Sequence, residues 1–324
     1  MMSCLRWLFA LFLLLGIGSE RATAQSVDLG GRIYMDYVYN IADPSPEREG
    51  QHGFQYRRLY LTADFDLSEE FAGRARLEAP EGAAGVSGVE VKDLWLTWHY
   101  SKEHSATIGV TPPPAFGLAE DVWGYRSLEK TIMDLQDVVD SRDFGVRVDG
   151  PLLGDGTVRY AAMVANNTNT GFTETDKYKR AYLQLQARPT GRLLFVAGGD
   201  YTAFPDERKS GTRLSAFVGY TAETVRVGLE TFWYRLARTA AEARTDVGGS
   251  LFGRVQVAPA WEVVGRLDRM RTSGVGSNRY ETLIVGGVAY YPHPNVAFIP
   301  NLRLQDRDRD TAAVTGRFTL EVNF

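Results

Sequence analysis

One pattern governs what this chain can fold into. After residue 24, apolar and polar side chains alternate with a period of two along almost the whole length. That period belongs to a strand with one apolar and one polar face. Leu29, Gly31, Ile33, Met35, Tyr37 and Tyr39 alternate with Gly30, Arg32, Tyr34, Asp36 and Val38. Further on, Leu59, Leu61, Ala63, Phe65 and Leu67 stand against Arg58, Tyr60, Thr62, Asp64 and Asp66. Continued to the end, the reading gives about sixteen strands, beginning near residues 27, 54, 71, 89, 105, 142, 157, 178, 192, 212, 224, 246, 261, 279, 295 and 312. Fourteen is the fallback if weak strands around Arg192 or Thr212 merge into loops. An aromatic content of 12% with 33 glycines agrees with an all-β chain.

Residues 1–24 read as an export leader, with Arg6, an apolar run over 7–17 and a small-residue cleavage site at Ala22-Thr23-Ala24. The remaining 25–324 reads as one domain. Cys4, the single cysteine, falls in the leader, which leaves the domain without a disulfide, a thiolate metal ligand or a catalytic thiol. Beyond the leader no stretch reads as a membrane-spanning helix. Residues 282–302 lack charge but contain Pro292, Pro294 and Pro300. A membrane role therefore requires a closed barrel, the other structure that satisfies its own backbone in lipid.

The connections support a barrel in the outer membrane of a Gram-negative bacterium. Short turns (68–70, 101–104, 151–156, 189–191, 221–223, 258–260 and 292–294) alternate with longer polar loops (43–52, 80–88, 167–177, 204–211, 237–244 and 271–277). The final strand ends on Phe324, which looks like the signal read by outer-membrane assembly machinery. A soluble sandwich would alternate in the same way, with its apolar face inward and with exposed sheet edges.

Charge decides which face meets lipid. Arg or Lys on the lipid face costs ~2–4 kcal/mol at mid-membrane and ~0–1 near the interfaces. The apolar set is expected outward; Lys92, Asp200, Arg269 and Glu281 are exceptions near strand ends. By parity Arg32, Arg58, Arg74, Arg76, Arg147, Arg159, Arg180, Arg213, Arg226, Arg254, Arg266, Arg303 and Arg317 point inward and are expected to line a pore. A barrel of about sixteen strands is wide enough for water, and guanidinium groups suit phosphate or carboxylate. Alternatively the lining charges solvate one another, since Asp36, Asp64, Asp66, Glu78, Asp93, Asp143, Asp149, Glu230, Glu262, Asp268 and Glu321 share that face.

The longest connection, about 111–140, opens on Pro112-Pro113-Pro114 and carries Trp123, Tyr125, Leu128 and Ile132. A connection with that apolar content is expected to pack, folding into the lumen as a constriction. Its candidate charges are Glu120, Asp121, Arg126, Lys130 and Asp134, with Glu129, Asp137 and Asp140 adding to the acidic balance. An acidic loop facing arginines would set a transverse field. The other reading is that these acids cap a short helix and tie the loop down.

Several segments in order carry a family likeness: Arg57-Arg58-Leu59-Tyr60-Leu61, Lys92-Asp93-Leu94-Trp95-Leu96-Thr97-Trp98, 109–120 (GVTPPPAFGLAE), Arg126-Ser127-Leu128 and Ser141-Arg142-Asp143-Phe144-Gly145-Val146. Over about residues 54–166 the chain resembles the phosphate-selective porin O and P family. The resemblance implies a sixteen-stranded porin whose third loop folds into the barrel, and a homotrimer. The family's phosphate-selective members use lysine as well as arginine. Here the lysines are Lys92, Lys102, Lys130, Lys177, Lys179 and Lys209, and by this register none sits at a mid-barrel inner position.

A net charge of −4 excludes a partner held by a broad basic field, so no nucleic acid is expected. The four histidines, His52, His99, His104 and His293, fall in loops, turns or near a strand end. No nucleophile motif, metal-spaced pair or phosphate loop accompanies them. Neither an enzyme nor a cofactor is expected. The reading is a porin in the lipid bilayer passing small hydrophilic solutes with a modest anion preference, phosphate among the candidates. The alternatives are a non-conducting structural or adhesive barrel and an outer-membrane hydrolase.

Overall fold

The backbone N–H and C=O groups of a strand point sideways, and a sheet leaves none unpaired only if it closes on itself. The computed structural model describes residues 26–80, 88–167, 177–204, 209–238, 243–274, 278–307 and 312–324. The leader read at 1–24 lies outside them. The described residues form β1 (Ser26–Ala42), β2 (His52–Asp66), β3 (Phe71–Pro80), β4 (Glu90–Trp98), β5 (Ser105–Thr111), β6 (Asp143–Pro151), β7 (Val158–Ala165) and β8 (Arg180–Ala187). The second half comprises β9 (Leu193–Phe204), β10 (Lys209–Thr221), β11 (Val225–Arg238), β12 (Arg244–Ala258), β13 (Trp261–Ser273), β14 (Arg279–His293), β15 (Val296–Asp306) and β16 (Ala313–Asn323). Each strand pairs antiparallel with its sequence neighbours, and β16 closes the barrel on β1. Strand starts fall within three residues of those read from the alternation. The fourteen-strand fallback drops out, because β9 and β10 are full strands in register with each other. None of the described helices is long and apolar enough to cross a membrane.

The start of β1, the end of β16 and the connections after β2 and β4 lie at one end, here the turn end; the segment between β5 and β6 leaves from the other, the loop end. On the outer face Leu61, Ile108, Val146, Leu183 and Leu251 are exposed. Aromatic clusters mark both ends, with Trp98 packed between Phe71 and Tyr100, and Trp261 on Tyr290, at the turn end. Tyr37, Tyr39 and Phe54 gather near His52 at the loop end. Such girdles bracket the apolar band of a membrane barrel.

The inner face differs from the expected parity in three ways. First, two β-bulges each add a side chain to it. In β2 the register passes from Tyr34↔Arg58 to Met35↔Tyr56, so Arg57 is the extra residue and turns inward beside Arg58. In β4 it passes from Arg76↔Asp93 to Leu77↔Val91, so Lys92 is the extra residue. Lys92 was expected outward and no lysine was expected mid-barrel, yet it is buried on the inner face, 2.7 Å from Glu78. Second, Asp200 and Glu281 also point inward. Asp200 binds Arg180 and Arg213, and Glu281 accepts from Gln136 of the long segment. Of the four expected exceptions only Arg269 stays outward. Third, the inner face carries apolar side chains on β9, β14 and β15, namely Leu194, Val196, Leu283, Val285 and Ile299.

Closure brings Phe324 beside Gly31. Gly31 donates its N–H to the Phe324 carbonyl at 2.7 Å and accepts the Phe324 N–H at 3.0 Å. The Phe324 ring lies where a Cβ on residue 31 would be, so only glycine leaves it room.

Candidate functional site on the inner face of the barrel

Each of the thirteen sequence-selected arginines occupies the inner parity of its strand. Nine meet carboxylates: Arg58–Glu78 at 2.9 Å, Arg74–Asp64 at 2.6 Å, Arg76–Asp93 at 3.2 Å, Arg147–Asp149 at 2.6 Å and Arg254–Glu262 at 2.9 Å, with Arg180 and Arg213 on Asp200, Arg266 on Asp268 and Arg303 on Glu129. Arg32 is exposed and donates to Asn323 and Tyr34. Arg159, Arg226 and Arg317 have no carboxylate within ion-pair distance among the described residues.

The segment between β5 and β6 divides these residues into two groups. It contains a short helix, Gly117–Trp123, and one further turn, Ile132–Leu135. Ala119, Val122, Trp123, Tyr125 and Leu128 pack on Leu194, Phe217, Phe252, Val264, Leu283 and Ile299. Phe116, Ile132, Met133 and Val139 pack on Met163, Tyr182, Phe232 and Met270. Polar contacts reach further around the barrel. Gln184 donates to the Ala115 carbonyl at 2.8 Å, Arg147 to Pro112 at 3.1 Å, and Tyr125 to Glu262 at 2.6 Å. Arg57 donates to the Ser127 carbonyl, Arg266 to Lys130, and Arg303 pairs with Glu129. Arg180, Arg213 and Arg266 are consequently buried against this segment.

The segment's own charges are largely spent in tying it down. Arg126 binds both Glu120 and Asp134, the latter at 2.6 Å, and Lys130 is 3.7 Å from Asp134. Burial alone would raise the Asp134 carboxyl; Arg126 and Lys130 outweigh it and hold the group below the usual range. Asp121 remains exposed.

On the arc from the loop-end part of β15 through β1 to β4 the inner face stays open. A cavity of about 250 Å³ is lined by Arg32, Arg76, Lys92, Arg126 and Arg142, with Asp28, Asp64 and Glu120 among them. A second, about 330 Å³, lies toward the loop end between Arg48, Arg303, Arg307 and Arg317, with Asp43. Between them stand Arg57, which pairs with Asp36 at 2.8 Å, and Arg58. Carboxylates on this arc are shared. Glu78 serves Arg58 and Lys92, and Asp93 serves Arg76 and Arg142. Cations thus outnumber the acids that hold them. Tyr60 lies under two guanidiniums, Arg58 at 5.6 Å and Arg76 at 5.4 Å.

Arg57, Lys92 and Arg142 escaped the sequence reading as wall residues. The first two are bulge residues, and Arg142 lies just before β6. A run of two polar residues inside a strand, Arg57-Arg58 or Lys92-Asp93, is the signal that was available. Two histidines lie off this inner face: His52 bonds Tyr37 at 2.8 Å on the outer side of the loop end, and His104 bonds Tyr160 at 3.3 Å.

No family model matches this sequence, and no curated protein matches it. Solved structures match the fold. An anion-selective porin from Comamonas acidovorans superposes with a TM-score of 0.70 at 13% identity, covering 92% of this chain and 99% of that one. The outer membrane channel DcaP of Acinetobacter baumannii gives 0.69 at 12% identity, covering 94% and 98%. OmpT, an outer membrane protein of Vibrio cholerae in a trimer form, gives 0.66 at 15% identity, covering 93% and 100%. The chain has the closed sixteen-stranded antiparallel barrel that these outer-membrane proteins share.

Proposed function

We propose that this chain is an outer-membrane porin of a Gram-negative bacterium, giving passive diffusion to small hydrophilic solutes with a preference for anions. The observation that carries the reading is the two-to-one sharing of carboxylates along the open arc, Glu78 between Arg58 and Lys92 and Asp93 between Arg76 and Arg142. A shared carboxylate neutralises one of its two partners, and the remainder leaves a positive wall. The segment over 112–142 crosses the lumen, fills the side lined by β7–β14 and narrows the passage to the arginine side. The pore-lining set is then Arg32, Arg57, Arg58, Arg76, Lys92, Arg142 and Arg317, whereas Arg180, Arg213 and Arg266 anchor the segment. The loop end faces outward, Phe324 serves as the assembly signal, and the working unit is a trimer. The Comamonas porin is anion-selective and the Vibrio OmpT occurs in a trimer form, which supports the anion preference and the trimer.

Single-channel recording across a KCl gradient tests the proposal. The reversal potential is expected on the chloride side, and Arg57→Gln with Lys92→Gln moves it toward potassium. The shift shrinks between 0.1 M and 1 M salt as the Debye length falls from ~10 to ~3 Å. A wild-type pore that prefers potassium overturns the anion preference, and a barrel that never conducts favours the structural alternative. Low-millimolar phosphate that leaves chloride current unblocked removes phosphate as a specific solute.

A further inference from the structure

We propose that the outer face of β10–β14, near the loop end, binds a phosphate-bearing lipid, an inference that rests on reading the chain as a membrane barrel. A groove of about 680 Å³ crosses this face. Its floor is Ala216, Thr231 and Gly249, in register across three neighbouring strands, and Leu214, Trp233 and Val247 border it on the loop side. The groove ends at two arginines. Arg269 is in register with Gly249, and Arg271 with Val247. Both are exposed on the outer face.

Among the described residues, the groups that touch Arg269 carry no counter-charge. The Arg269 guanidinium lies 4.9 Å over the Tyr280 ring and donates to the Thr282 hydroxyl. No carboxylate is within ion-pair distance of either arginine among the described residues. In register beyond Thr282, on β15, is Asp306, two strands away from Arg269. Depth matters, because a cation facing hydrocarbon is tolerated only toward the edge of the apolar band. Arg269 lies eight residues beyond Trp261 of the turn-end girdle. At ~3.3 Å per residue and a tilt near 40° that is about 20 Å along the membrane normal, close to the far edge of a band ~25 Å tall. A lipid headgroup phosphate sits at that level. Guanidinium groups bind phosphate through paired, charge-assisted hydrogen bonds. The occupant must carry hydrocarbon for the groove and an anion for its end in one molecule, which is the description of an acidic lipid.

Native mass spectrometry of the protein purified in detergent tests this with two probes of equal acyl chains, phosphatidylglycerol and phosphatidylcholine. Phosphatidylglycerol is expected to remain bound, with at least tenfold less phosphatidylcholine retained. Arg269→Gln with Arg271→Gln loses the phosphatidylglycerol, whereas Arg269→Lys with Arg271→Lys keeps most of it. Gly249→Leu fills the groove without touching charge and reduces retention several-fold. Heat-modifiable migration on gels verifies that each variant is a folded barrel. Equal retention of both lipids, or retention unchanged in the double Gln variant, overturns the proposal. So does a Gly249→Leu variant that loses an oligomer while keeping its lipid, because the groove is then a contact between copies. Conductance is read separately: a non-conducting protein that still retains phosphatidylglycerol overturns the porin reading and leaves the lipid site standing.

Discussion

Asp93 holds two guanidiniums at once and is itself almost fully buried. Asp93→Asn preserves its shape and leaves Arg76 and Arg142 without their shared charge. The expected loss is about 1–3 kcal/mol in urea unfolding, the usual cost of leaving buried polar partners unsatisfied. The same change raises the net charge of the wall by one, so the reversal potential moves further toward chloride. Asp134 makes a different prediction, in pH. Its folded carboxyl titrates below its ordinary value because Arg126 and Lys130 outweigh its burial. A depressed carboxyl contributes stability above the unfolded value of ~3.9, lost only as pH falls through the lower folded value. The effect of Asp134→Asn on stability is therefore expected to be equal at pH 8 and pH 5 and to decline only below about pH 4, as pH falls toward the lower folded value. An effect that switches off between pH 7 and 5 contradicts the assignment of its partners.

Among the elements, the 112–142 segment has the greatest leverage. Trp123 is buried against Phe252, ring centroids 5.5 Å apart, and donates to the Glu129 carbonyl at 2.9 Å. Trp123→Ala removes the centre of that packing, at about 3–5 kcal/mol for an aromatic truncated in a core. The loosened segment is expected to give larger and noisier single-channel steps while the strands stay closed. A conductance equal to wild type would mean that this segment does not narrow the path. The strands themselves were legible in the sequence wherever one face was apolar and the other polar, as in β1, β2 and β16. Parity failed where that contrast disappears. On β14 the inner Leu283 and Val285 lie under the segment, so Leu283-Ile284-Val285 reads as apolar on both faces and Glu281 was assigned outward. A bulge shifts parity by one residue and keeps both neighbours polar, which hid Arg57 and Lys92. Partnering between charges far apart in sequence, such as Arg303 with Glu129, leaves no local trace at all.

The whole molecule depends on the pairing of β1 with β16. Gly31→Val would drive a side chain into the Phe324 ring at that pairing. The expected result is a lower yield of heat-resistant barrel and a lower unfolding temperature, with the inner ion pairs unchanged in variants that do fold. A Gly31→Val protein as heat-resistant as wild type would show that the ring moves aside freely. The pairing also joins residues such as Arg32 and Asn323, 291 positions apart. Bringing such distant ends together costs about 5 kcal/mol in chain entropy by the logarithmic loop rule. Every other strand meets its partner soon after it is made, whereas β1 must wait for β16. Until then it offers hydrogen-bonding groups with nothing to satisfy them, an edge that hydrocarbon rejects and other chains can capture. In a membrane barrel of this topology, insertion therefore cannot finish until β16 has been made, and an open, adhesive sheet must be sheltered for that interval. A broken product lacking its final strand carries the same open edge permanently, a chemical mark by which proteases can tell it from a completed barrel.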